Sequence, residues 1–227
     1  MADLPARLLL LLDSRSPAGA HNHSSGMEAA VTAGYVNEVA DVADFCRGRL
    51  ATSGRVAAAF AAAACRGWQA GEAPVWWRTL DAEFSARTPS PATRAASRNL
   101  GNGLRRLLLA TVPEQGVAIR QKFADCPAPA PHQPLLLGAA TALVGAGPET
   151  AALAAALTSC TAPASAAVRL LGLDPYAVHG MLAALSLEIE AAAEWACNQT
   201  ELPALSAPAL ELLADVHASA EVRLFAS

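Results

Sequence analysis

Residues 56–65 read VAAAFAAAAC and lie between Arg55 and Arg66. Seven of these ten residues are alanine, the strongest intrinsic helix former. A run of ten is well short of the ~20 residues that a membrane span needs, and both flanks are charged. The stretch therefore reads as a helix of a folded domain. The pattern extends outward in both directions. Alanine and leucine dominate the chain, and nowhere do β-branched or aromatic residues alternate with polar ones over a sustained run. No strand is predicted. The fold class is all-α: a single globular bundle of about ten helices over residues 1–227.

Punctuation places the elements. A short helix is expected near 5–12, and a second over 25–33 with Ser24 or Ser25 as N-cap and Gly34 as its stop. A long helix follows over 38–66. Asn37 caps it, Val42, Phe45, Arg49, Val56 and Phe60 line one side, and Gly48 and Gly54 are places where it can bend. Another covers 74–87. The tetrapeptide SPAT at 90–93 puts a capping serine before a proline at the first helical position, opening a helix to about 110. Residues 111–133 contain CPAPAPH, whose prolines forbid a regular helix. The Pro-rich stretch near 127–134 could mark a subdomain boundary, but a surface loop is the favoured reading. Helices follow at 134–146, 148–159 and 163–172. Asp174-Pro175 repeats the cap-then-proline signal and opens a helix to about 197. The last covers 207–219, before a tail at 220–227.

Composition narrows the function classes. Charged residues make up 16% of the chain and apolar ones 53%, against about 25% charged in an average domain, so part of the surface is expected to be covered by another protein. The second long apolar run, LLLGAATALVGAG at 135–147, is also too short to span a bilayer, and no membrane segment is expected. MADLPARLLLLLDSRS at the N-terminus has only five leucines in a row and no basic leader before them, so no secretory signal is expected. Five scattered cysteines without a CxxC suggest neither a disulfide framework nor a zinc site, and a reducing, cytoplasmic setting is the simplest reading. Residues 1–113 carry 12 basic and 9 acidic side chains, and residues 114–227 carry 4 and 11. That polarity suits a protein partner better than nucleic acid. There is no phosphate loop, HExxH or GxSxG, and GNG at 101–103 sits inside a helical pattern rather than between a strand and a helix.

Several groups of residues merit weighing. His21 and His23, in HNH, could share a divalent ion on extended backbone, but the neighbouring helix N-terminus disfavours a cation. Arg94, Arg98 and Arg105 share a helix face that could receive acidic groups, or could simply be solvated. Glu190/Glu194 and Glu211/Asp215 are acidic pairs at i,i+4, which repel mildly and would be relieved by a basic partner or by water and salt. Trp68, Trp76 and Trp77 could anchor an interface, but core packing is the favoured reading. Leu224 and Phe225 in the terminal RLFAS must fold back or be covered, and a partner is the favoured cover.

Taken in order, SRSPAGAHNHSSGMEAAV (14–31), RAASRNLGNGLRRLL, HQPLLLGAA, SAAVRLLGLDPYAVHG (165–180) and HASAEVRLFAS (217–227) resemble the urease accessory protein F (UreF) family over nearly the whole chain. His21 and His23 depart from the aromatic residues usual in that family, and LDPY replaces its glycine-glutamine surroundings. The resemblance implies an all-α, non-enzymatic scaffold without a cofactor or resident metal. Such a scaffold associates as a homodimer, binds accessory protein D (also called H), and recruits the GTPase accessory protein G to deliver nickel to apo-urease. It also implies partner-binding residues: Ser24, Gly26 and Glu28 in the first motif, Ser165, Arg169 and Leu170 in the next, and Arg223, Leu224 and Phe225 in the tail. HNH then reads as a helix mouth on a partner-facing or nickel-transit surface. The alternative is a helical metal-dependent hydrolase using His21 and His23.

Overall fold

The computed structural model describes residues 6–13, 16–18, 22–220 and 223–225. The helices run α1 (Ala6–Leu12), α2 (Met27–Thr32), α3 (Val39–Arg49), α4 (Arg55–Gln69), α5 (Pro74–Ala86), α6 (Pro91–Thr111), α7 (Gly116–Lys122), α8 (Gln133–Leu143), α9 (Pro148–Leu171), α10 (Pro175–Ala184), α11 (Ser186–Cys197) and α12 (Pro208–Ala218). No strand occurs among the described residues. The fold is all-α, as expected.

The alanine run sits at the centre. Helix α4 packs against α8, α9 and α11, and Ala58, Ala59, Ala61, Ala62 and Ala64 are all buried. Each alanine buries little area, but small side chains let helix axes approach closely. At Gly138 of α8 a Cβ would lie 2.2 Å from the Ala61 carbonyl oxygen and 2.7 Å from the Ala64 Cβ, so only glycine fits that crossing. The glycines of GNG have the same packing role. A Cβ on Gly101 would meet the Pro131 carbonyl oxygen at 2.1 Å, and one on Gly103 the Ala18 carbonyl oxygen at 2.0 Å. Helix α9 is the described helix long and apolar enough to cross a membrane by length and composition. Here it is a core helix, with Ala151, Ala152, Ala156, Cys160 and Ala164 buried.

The tryptophans pack in or against the core, with Trp68 and Trp76 half-buried at its edge. Trp77 is fully buried, with edge-to-face contacts to Trp76 at 5.0 Å and Phe123 at 4.8 Å between ring centroids. Such aromatic geometry adds stabilisation beyond area burial.

Several helix ends follow the sequence signals. Ser90 Oγ accepts the Thr93 N–H at 3.1 Å, and Asp174 accepts the Tyr176 N–H at 3.0 Å. Gly34, at φ +76°, stops α2. The Tyr35 N–H donates to the Ala30 carbonyl and the Gly34 N–H to Val31, the paired closure that a left-handed glycine allows.

Other ends differ. Neither Ser24 nor Ser25 caps α2; Gly26 takes the N-cap position without a side-chain bond. Asn37 does not cap α3. Glu38 holds that position, and Asp41 accepts the N–H groups of Asn37 and Glu38 at 2.8 and 3.2 Å. The long helix of 38–66 is continuous but carries a π turn at Leu50–Gly54. Residues 111–133 form a 3₁₀ turn at Pro113–Gln115 and helix α7 before the Pro-rich loop. The helix from Asp174 breaks at Leu185 into α10 and α11.

The two helices expected at 148–159 and 163–172 are one, with Pro163 inside it. Proline has no N–H to donate to the carbonyl four residues back, here that of Ser159. Arg49 fills the vacancy, with its Nε donating to the Ser159 carbonyl at 3.3 Å.

The arginine stripe of α6 is largely committed inside the chain. Arg98 pairs with buried Asp81 at 2.7 Å and donates to the Ala130 carbonyl at 2.9 Å. Arg94 donates to the carbonyls of Thr88 and Pro89, and Arg105 to Asn102. The Ser85 hydroxyl lies 2.8 Å from His132 Nε2, which resembles a nucleophile and its base. Asp81, however, accepts the His132 backbone N–H, and Nδ1 has no hydrogen-bond partner. In a catalytic relay that second nitrogen is held by an orienting hydrogen-bond partner. Burial pushes the His132 pKa down to about 4. The cluster joins α5, α6 and the Pro-rich loop to α8.

Candidate functional site at the C-terminal tail

Three motifs far apart in sequence meet at the end of the chain. The first enters α2 through two consecutive left-handed residues, Ser25 (φ +56°) and Gly26 (φ +88°). Glycine takes this conformation freely, whereas serine is strained there. Arg49 holds the turn, donating from a terminal guanidinium nitrogen to the Ser25 carbonyl at 2.9 Å. Ser24 is fully buried and Glu28, in the first turn of α2, is 8% exposed.

The Glu28 carboxylate is the receptor for the tail. The Leu224 N–H donates to one carboxylate oxygen at 2.7 Å and the Phe225 N–H to the other at 2.9 Å. His217 Nε2, on α12, lies 3.5 Å from the second oxygen. Hydrogen bonds to an ionised carboxylate are stronger than neutral ones, so a short tail is fixed by a single side chain. The middle motif supplies the next contact. The Arg169 guanidinium of α9 stacks 4.2 Å above the centre of the Phe225 ring, within cation–π range.

The nine residues singled out from sequence divide by exposure. Ser24, Glu28 and Phe225 are buried and build the junction; Phe225 is 3% exposed. Gly26 shapes the turn. Leu170 is half-buried against the core. Ser165, Arg169, Arg223 and Leu224 are exposed, Leu224 by 65%. The tail thus splits between the two fates weighed for it: Phe225 folds back while Leu224 is left uncovered.

His21 lies outside the described residues. His23 is buried, and no group of three or more His, Cys, Asp or Glu that could hold a metal ion occurs among the described residues. His23, His217, Arg49 and Arg223 line a cleft of about 310 Å³ beneath α12.

Sequence reasoning passed over Arg49 and His217. An arginine on the apolar side of a long helix was the available signal for Arg49. The pair Glu211/Asp215 also has an unforeseen role. Glu211 accepts the Ser90 N–H at 2.9 Å, and Asp215 accepts the Ser90 hydroxyl at 2.5 Å and the Ala92 N–H at 3.3 Å. The pair lies at the N-terminus of α6, where the helix dipole favours negative charge. It ties α12, and so the tail, to the bundle.

Comparison with known proteins matches the UreF family over residues 36–186. The chain belongs to the UreF family. Full-length relatives named urease accessory protein UreF include those of Mycolicibacterium vanbaalenii, 44% identical over 225 residues and 98% of each chain, and Mycobacterium marinum, 43% identical over 223 residues and 98% of each chain. The relative from Mycobacterium tuberculosis is 40% identical over 222 residues, again 98% of each chain. As a member of that family the chain is a urease accessory protein rather than an enzyme. The family match ends before the tail, but these relatives align over nearly the whole length, which includes the Glu28 turn.

Proposed function

We propose that this UreF-family chain is a scaffold for nickel insertion into apo-urease. It bridges accessory protein D/H and the GTPase accessory protein G and modulates that GTPase. It works in the cytoplasm as a homodimer within the complex, and nickel is the cargo of the assembly. The observation that carries this reading is the built C-terminus. Glu28 and Arg169 fix Phe225, and the same backbone holds Leu224 out at 65% exposure beside exposed Arg223. An apolar side chain next to an arginine, both on an anchored backbone, has the form of an interface anchor. Tyr176 and Leu187, 87% and 76% exposed, offer further apolar surface for assembly.

Removing residues 223–227 tests the assignment. The expected result is loss of co-purification with D/H and G while the helical circular dichroism is retained. A truncated chain that still assembles the full complex overturns the role given to the tail.

A further inference from the structure

The cleft beneath α12 has a chemistry of its own. Its volume is about 310 Å³, at the lower end of small-molecule sites and room for about ten waters. One wall is the π turn and the start of α4, with Ser53, Val56 and Ala57. Another is α6, with Ala92, Ala96 and Leu100. The third is α12, with Leu210 and Ala214. These surfaces are mostly apolar.

The charges on the lining are unbalanced. Arg49, Arg87 and Arg223 face the cleft, with Glu211 as the only acidic residue among the described lining. Glu211 already accepts the Ser90 N–H, and Arg87 is paired with Glu83. Among the described residues, Arg49 has the carbonyl oxygens of Ser25 and Ser159 as its hydrogen-bond acceptors. No carboxylate lies within ion-pair distance of Arg49 or Arg223 among the described residues. Burial pushes the Arg49 guanidinium pKa down, and the nearby Glu211 carboxylate offsets only part of that. Two further polar atoms on the lining, Ser53 Oγ and Arg87 Nε, are buried without a hydrogen-bond partner among the described residues. A buried donor left unmade costs about 1–3 kcal/mol, so the site holds unmet capacity for an anion.

We propose that this cleft binds a small organic monocarboxylate. Arg49 and the Ser53 hydroxyl receive the carboxylate, Arg223 closes over it, and the alanine- and leucine-lined walls take an aliphatic or aromatic body of about ten heavy atoms. Inorganic phosphate would leave the apolar walls uncovered, and a dinucleotide exceeds a cleft of about 310 Å³. Helix α12 and the residue that leads into the tail form part of the wall, so a bound acid fastens them to the bundle. The proposal stands independently of the scaffold reading.

Calorimetric titration of the full-length chain with octanoate, and separately with 1-octanol, tests it. Octanoate is expected to bind at least about tenfold more tightly than the alcohol, the increment of one charge-assisted contact. It is also expected to raise Tm in proportion to its occupancy. Arg223→Gln, at an exposed side chain with no ion-pair partner among the described residues, is expected to weaken octanoate and leave octanol unchanged. Ala96→Phe, which fills the cleft, is expected to abolish binding of both. Equal binding of acid and alcohol, no binding of either, or wild-type affinity in the Ala96→Phe chain overturns the proposal.

Discussion

At the scale of single residues, the site depends on Glu28. Both of its carboxylate oxygens are used, one by each of two consecutive backbone N–H groups. Glutamine has nearly the same shape but turns an NH₂ toward one of those donors. Glu28→Gln therefore removes one bond and sets two donors face to face, a local cost of about 1–3 kcal/mol. The expected result is amide hydrogen exchange at Leu224 and Phe225 faster by about tenfold or more, with exchange in α4 and α8 unchanged. Unaltered exchange at those two amides shows that something else fixes the tail. The first motif suggested Glu28 as a partner-facing residue, but its ligand within the chain was not legible. The two groups are 196 residues apart, and the contact is to backbone N–H, which carries no side-chain signature.

At the scale of elements, the sequence was most informative where the signal was local. Ser90-Pro91 and Asp174-Pro175 open helices because cap and proline act within one turn. Prediction failed where the compensating group came from afar. Pro163 reads as a break, yet α9 continues through it because Arg49, on another helix, donates to the orphaned Ser159 carbonyl. Likewise, Glu211 and Asp215 read as a repelling pair, yet they meet the N-terminus of α6. The Pro163 account predicts coupling. Arg49→Met leaves the Ser159 and Ser25 carbonyls without their donor and is expected to cost about 1–3 kcal/mol. Pro163→Ala restores an N–H for Ser159. It is expected to recover part of that loss in the Arg49→Met background, with a coupling energy of about 1 kcal/mol by denaturant unfolding. Strict additivity contradicts the account.

At the scale of the whole molecule, an alanine-rich core brings backbones close enough that Gly138 tolerates no Cβ against Ala61. Such a core leaves few places for large apolar side chains, and some of them remain at the surface. The all-α class was legible because the helical pattern is nearly uninterrupted. The family was legible from the order of its motifs, but their meeting point was not, since spacing along the chain does not report which helix faces converge. The central claim is that the anchored tail presents a surface for a partner. Leu224 isolates it best: its side chain is 65% exposed, while its backbone N–H, which binds Glu28, survives substitution. The most direct measurement is the affinity of purified accessory protein D/H for the wild-type chain and for Leu224→Ala. The account predicts an unchanged Tm and binding weakened by about tenfold or more, as for an interface anchor. Equal affinity for the two chains contradicts it.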